Sequence, residues 1–150
     1  MSAGPMLDDD REDRGVIVSN RQPHPVDEQA LAALAAQTLA AEGHAGAELS
    51  LSFVDETEMS ELHERYLHEP GPTDVLAFPV DVDEDGVRVL GDVVIAPSVA
   101  ARNNPSDPEA ELRLLVVHGV LHVLGYDHED DDERAEMWAR QQRYSGVTVP

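Results

Sequence analysis

Apolar positions along the chain fall into short alternating runs separated by longer stretches with helical spacing. Val16-Ile17-Val18 suits a short strand. From Asp27 onward an alanine- and leucine-rich stretch sets Leu31, Leu34 and Leu39 at near-helical spacing until Gly43 stops it. Leu49-Ser50-Leu51-Ser52-Phe53 alternates apolar with polar, the period of a half-buried strand. Asp55 then stands at a helix N-cap position with Glu58 three residues later, an arrangement related to the capping box. Met59 and Leu62 give that helix an apolar side, and it must end before Pro70-Gly71-Pro72. Val75 to Phe78 and Val87 to Ile95 read as two strands. The Asp83-Glu84-Asp85-Gly86 stretch between them favours a hairpin-type turn and hence an antiparallel pair.

A helix-capable stretch around Ser98 to Arg102 and a proline-bounded loop precede Glu109 to Leu124, the strongest helical signal in the chain. From Leu114 to Leu124 the helix is apolar on nearly every face except at two histidines, which predicts a buried central helix. A last helix, containing Met137 and Trp138, follows the acidic run Glu129 to Glu133, whose charges complement a helix N-terminus. Strands and helices thus share one chain, with a buried helix at its centre. Asp8, Asp9, Asp10, Glu12 and Asp13 come before the first strand with almost nothing to bury. Residues 1–15 are therefore expected to be a solvated acidic tail, and residues 16–150 one domain.

Composition narrows the chemistry. The chain has 150 residues, of which 41% are hydrophobic, enough for one core and one site. No apolar run approaches the roughly 18 to 20 residues that span a bilayer, and the N-terminus is acidic where a secretory signal is basic and then apolar. A soluble, cytoplasmic protein with no membrane partner is expected. Cysteine is absent, which removes disulfides, thiolate nucleophiles and cysteine-containing zinc sites, so any metal must use His, Asp or Glu. The formal charge is −21 and the cationic side chains are all arginine. The surface as a whole repels polyanions, and local arginine clusters could still bind RNA.

The informative stretch is His118-Gly119-Val120-Leu121-His122-Val123-Leu124-Gly125-Tyr126-Asp127-His128. At about 100° per residue, His118 and His122 share one helix face one turn apart. Gly125 falls where the helix must end and can take the left-handed conformation that turns the chain back to present His128. A lone buried histidine is more often a hydrogen-bonded core residue than a ligand; three at this spacing point to a metal. Three imidazoles leave a tetrahedral zinc with an open position, as in catalytic rather than structural sites. His24, His44, His63 and His68 show no such spacing and read as surface residues. The same ligand spacing occurs in metzincin proteases, but their general-base glutamate directly follows the first histidine, where this chain has Gly119. That glycine is expected to leave open space beside the metal. Asp127 has two readings of equal weight, as an acceptor that orients an imidazole or water and as a turn residue after the helix.

These residues resemble the YbeY family of bacterial rRNA-maturation endoribonucleases, whose signature H-G-x-L-H-L-x-G-Y-D-H is altered here only at Val123. Two further family blocks are matched by Pro72-Thr73-Asp74-Val75-Leu76-Ala77-Phe78-Pro79, with Ala77 for the usual serine, and by Leu90-Gly91-Asp92-Val93-Val94-Ile95. Asp74 as a turn acid and Asp92 as a strand-end cap have structural readings at least equal to functional ones. The resemblance implies an α+β fold, a small mixed β-sheet packed against helices with the buried central helix carrying the metal ligands. It further implies one zinc per chain held by the three histidines and single-strand endoribonuclease activity in 16S rRNA maturation and ribosome quality control. It also implies ribosomal RNA and the small subunit as partners, with ribosomal proteins or an assembly GTPase beside them. Many members carry an arginine after the tyrosine that precedes the second block; here that position is Leu67, and Arg65 is the candidate to replace it. The rival readings are a zinc peptidase and a ribosome-assembly factor with little nuclease activity.

Overall fold

The computed structural model describes residues 15–148. The acidic tail expected before Val16 lies, apart from Gly15, outside the described residues. Four strands and five helices follow one another as β1 (Val16–Arg21), α1 (Glu28–Ala41), β2 (Glu48–Val54), α2 (Glu56–Leu67), β3 (Val75–Glu84), β4 (Val87–Ile95), α3 (Pro97–Asn103), α4 (Pro108–Val123) and α5 (Asp131–Ser145). The α+β class with a mixed sheet is as the family resemblance implies.

The sheet has the order β1-β2-β4-β3. β1 and β4 each run parallel to β2, and β3 pairs antiparallel with β4. The β3–β4 turn is Asp85-Gly86, both at positive φ (53° and 82°), as a two-residue hairpin of matching twist requires. β3 runs six residues past the stretch that reads as a strand. Pro79 can sit within it because β3 is an edge strand, and the register shifts between Pro79 and Val82, with Asp81 at φ 57°. Asp92 is not at a strand end: it lies within β4, exposed, opposite Phe78.

Strand alternation sorts side chains onto two faces. Leu49, Leu51, Phe53, Val93 and Ile95 point to the main core, where Leu31, Ala35 and Leu39 of α1 meet Leu112, Leu115, Val116 and Val120 of α4. Leu76 and Val94 point the other way, against Met59 of α2 and Val99 of α3. α4 contacts α1, α3, α5, β3 and β4. Its central position explains its apolar composition: each Leu or Val withdrawn from water there contributes roughly 1.5–3 kcal/mol. The other helices bury one stripe each. No helix of the described residues is long and apolar enough to cross a membrane.

Local capping follows the sequence. Asp27, Asp55, Asp107 and Asp130 each accept a backbone N–H from three residues on, at 3.1, 2.8, 3.1 and 2.7 Å. The capping arrangement at α2 is one-sided, because the Glu58 carboxylate reaches Arg21 at the end of β1 at 2.6 Å instead of turning back to the helix start.

Candidate metal centre

Two of the three histidines project from one face of α4 near its C-terminal end, and the third follows the turn that ends it. That turn is a Schellman motif. Tyr126 N–H donates to the Leu121 carbonyl and Gly125 N–H to the His122 carbonyl, each at 3.0 Å, with Gly125 at φ 105°. The chain reverses and brings His128 over the helix face. One ring nitrogen from each of His118, His122 and His128 lies within 4.8 Å of the others. Ring centroids are 5.0, 5.3 and 5.8 Å apart, and Trp138 of α5 packs edge-on at 6.0 Å from His118 and 5.5 Å from His128.

The donor set fits a metal. His118 Nδ1 lies 2.8 Å from Oε1 of Gln141, which is 3% exposed. With the amide oxygen as acceptor, Nδ1 carries the proton and Nε2 keeps its lone pair for a cation. Burial pushes the His118 imidazole below its ordinary pKa, and His128 adds to this, while Gln141 and Asp74 oppose it. Burial also lowers His122, reinforced by His118 and His128 and opposed by Asp127. Both effects favour the neutral imidazole, the form that coordinates metal.

Gln141 carries no signal in the metal motif. Its only mark in the sequence is its place four residues after Met137, on the stripe of α5 that packs inward. Glu42 is further removed. At the C-terminus of α1, with a side chain 9% exposed, it accepts from the Tyr126 hydroxyl at 2.7 Å and from the Tyr144 hydroxyl, and it pairs with Arg140 at 3.3 Å. Burial pushes the Glu42 carboxyl up, but donation by Tyr144 and Tyr126 together with Arg140 leaves it below its ordinary value. Burial and Glu42 raise the Tyr126 phenol, so it remains a hydroxyl donor. One carboxylate thus ties the ligand-bearing turn and the Gln141 helix to α1.

The histidines line one side of a cleft of about 520 Å³, with Asp74 and Val75 to Phe78 of β3 along its floor and Tyr66 and Leu67 of α2 at the rim. β3 pairs on one side only, with β4, and Val75 to Phe78 of this edge strand line the cleft. Asp74 accepts from Asn103 at 3.2 Å and is the one carboxylate among the lining residues.

Several expectations need correction. Gly119 does not leave space beside the metal: a Cβ there would lie 2.5 Å from Cγ1 of Val93, so this glycine lets α4 pack closely on β4. Arg65 does not enter the cleft. It lines a separate depression with Asp55, Thr57, Glu58, Glu61 and Leu62, while Leu67 is the residue at the rim. Asp127 accepts the His128 N–H at 2.7 Å, the contact that its turn reading expects. His63 is not a plain surface residue: 12% exposed in its side chain, it holds the loop after α2 through Gly71 O at 2.9 Å and Glu69 at 3.2 Å. His24 and His68 are exposed and His44 half-buried, none of them in the cleft.

A family model described as endoribonuclease YbeY matches residues 17–146. The endoribonuclease YbeY of Beutenbergia cavernae is 50% identical over 137 residues, covering 84% of this chain and 91% of that protein. The endoribonuclease YbeY of Thermobifida fusca is 47% identical over 137 residues, covering 84% and 88%. The solution structure of a protein from Thermotoga maritima superposes with a TM-score of 0.62 at 29% identity, covering 87% of this chain and 86% of that one.

Proposed function

The chain belongs to the endoribonuclease YbeY family, and from that premise we propose that its three-histidine cleft is a zinc centre that cuts single-stranded RNA in 16S rRNA maturation and ribosome quality control. Its setting is the cytoplasm and its partners are ribosomal RNA and the small subunit. That the chain is an endoribonuclease follows from the family. The observation that supports the metal-dependent reading is the convergence of three imidazoles in a cleft, with His118 held by Gln141 so that Nε2 is free.

A zinc ion held by His118, His122 and His128 would supply Lewis-acid polarisation of a phosphoryl oxygen and activation of water near neutral pH. The rest falls to the chain's own groups. Val75 to Phe78 of the edge strand β3 line the cleft beside the histidines, and Asp74 is the one carboxylate among the lining residues. The peptidase reading loses its geometric basis. A glutamate in place of Gly119 would be driven into Val93, so this position cannot supply the general base that metzincin proteases carry there.

The test is cleavage of a precursor of 16S rRNA by purified protein. Cutting that is lost with chelator and in His122→Ala, with the fold intact by circular dichroism, is expected. Activity that is equal in wild type and His122→Ala would place the chemistry elsewhere. Inactivity of zinc-loaded wild type on both naked precursor and small-subunit particles would favour an assembly factor.

A further inference from the structure

We propose that Tyr66, buttressed by Phe78, is a nucleobase-stacking subsite at the rim of the cleft, and that this chain grips RNA there by stacking instead of arginine–phosphate pairing. The proposal rests on the reading of the cleft as the place where RNA is cut. The residues lining the cleft include one carboxylate and neither lysine nor arginine, in a chain of formal charge −21. A phosphate backbone entering it meets no side chain that neutralises it. Proteins that hold single strands without strong phosphate pairing rely on aromatic faces, because every base has a π-face to stack.

Such a face is present and held in place. Tyr66 is 54% exposed and Leu67 51% exposed, both at the rim, although large apolar side chains are ordinarily withdrawn from water. The Tyr66 ring meets Phe78 at 5.2 Å between centroids and 62° between planes, an edge-to-face contact that limits its movement. Behind it, α2 ends at His68 in the left-handed conformation, and His63 fastens the following loop. Tyr66 shares the cleft with the three histidines, so a base stacked on it belongs to a nucleotide close to the phosphate at the histidines. Leu67, not an arginine, accompanies Tyr66 at the rim, and Arg65 lines a separate depression. Aromatic contact is what the rim has left to offer.

Stopped-flow anisotropy with a fluorescein-labelled single-stranded RNA of about ten nucleotides and the zinc-loaded protein records binding before the strand is cut. Tyr66→Ala is expected to weaken binding about tenfold, the order of loss for one base–aromatic stack, and Tyr66→Phe to bind like wild type. An abasic nucleotide walked along the RNA should reveal one position where wild type loses the same factor and Tyr66→Ala loses nothing more. In turnover, KM should rise while kcat and zinc content stay unchanged. Leu67→Arg should steepen the dependence of log affinity on log salt by about 0.7, one added phosphate contact. Wild-type affinity in Tyr66→Ala, or abasic and Tyr66→Ala losses that simply add, would overturn the proposal. Binding that depends on Tyr66 in a protein that cuts no RNA would instead overturn the cleavage reading and leave the subsite standing. Cutting that requires the histidines but ignores Tyr66 would do the reverse.

Discussion

The cleft wall made by α4 and the rim made by the end of α2 differ in how their side chains are held. His118 sits on a helix packed on several sides, is hydrogen-bonded by a buried glutamine and is flanked by Trp138. Tyr66 and Leu67 stand more than half exposed, and Phe78 meets the Tyr66 ring edge to face. A ligand set must be fixed to tenths of an ångström before the metal arrives, so it is built where packing over-determines it. A surface that receives a flexible strand needs only a face of the right kind. Changes on the α4 side should therefore act through metal and stability, and changes on the α2 side through substrate affinity.

The largest effect expected on the metal wall short of removing a ligand is that of Gln141→Leu. Loss of the acceptor frees the His118 ring to rotate, and zinc affinity should fall by about 10- to 100-fold, while Gln141→Glu, which keeps an acceptor, should lose much less. Competition with a chromophoric chelator measures this. Equal affinity in wild type and Gln141→Leu would mean that His118 is held by packing alone.

Gly119→Ala probes the same wall from behind. A methyl group 2.5 Å from Val93 overpacks the α4–β4 contact, and unfolding in denaturant should show a loss of about 1–3 kcal/mol with lowered zinc affinity. An unchanged midpoint would show that helix and sheet separate without penalty.

The Glu42 network gives a pH signature. Its folded-state pKa lies below the ordinary value, so the stability it contributes is present above the unfolded-state pKa of about 4.3 and is lost as pH falls through the lower folded value. Glu42→Gln should cost about 1 kcal/mol at neutral pH. Its melting-temperature deficit should shrink toward zero as pH falls below about 4, because protonated glutamate and glutamine then make similar bonds. Thermal melts of both proteins across that range isolate Glu42 from the many other carboxylates. A deficit that is independent of pH would contradict the account.

The smallest effect belongs to Arg65→Ala. The arginine lies among Asp55, Glu58 and Glu61 outside the cleft, and cleavage should change by less than about twofold. A large drop in kcat would place Arg65 in the site after all.

How legible these walls are in the sequence follows the same contrast. The three histidines, the turn at Gly125 and the buried character of α4 can all be read because they lie within eleven consecutive residues, and helical periodicity relates their directions. The strands, the antiparallel β3–β4 pair and the Asp55 cap follow from alternation, the Asp-Gly turn and local hydrogen bonding, whereas the order β1-β2-β4-β3 is set by tertiary packing. Gln141 and Glu42 are not readable, because their partners lie 23, 84 and 102 residues away and only tertiary packing brings them together. Gly119 was legible as a glycine but not in its purpose, since the clash it avoids is with Val93 of β4, distant in sequence. Arg65 and Leu67 show the limit at the rim. Being near Tyr66 in sequence does not decide which way a side chain points, for neighbours on a helix are about 100° apart.

The central claim, that these three histidines hold the metal on which RNA cleavage depends, is tested most directly by adding zinc back to chelator-treated protein while following cleavage of a single-stranded RNA. Activity should rise in proportion to zinc and level off at one equivalent per chain, with no such rise in His118→Ala, His122→Ala or His128→Ala. Full activity of the metal-free protein, or recovery by zinc in all three variants, would contradict it.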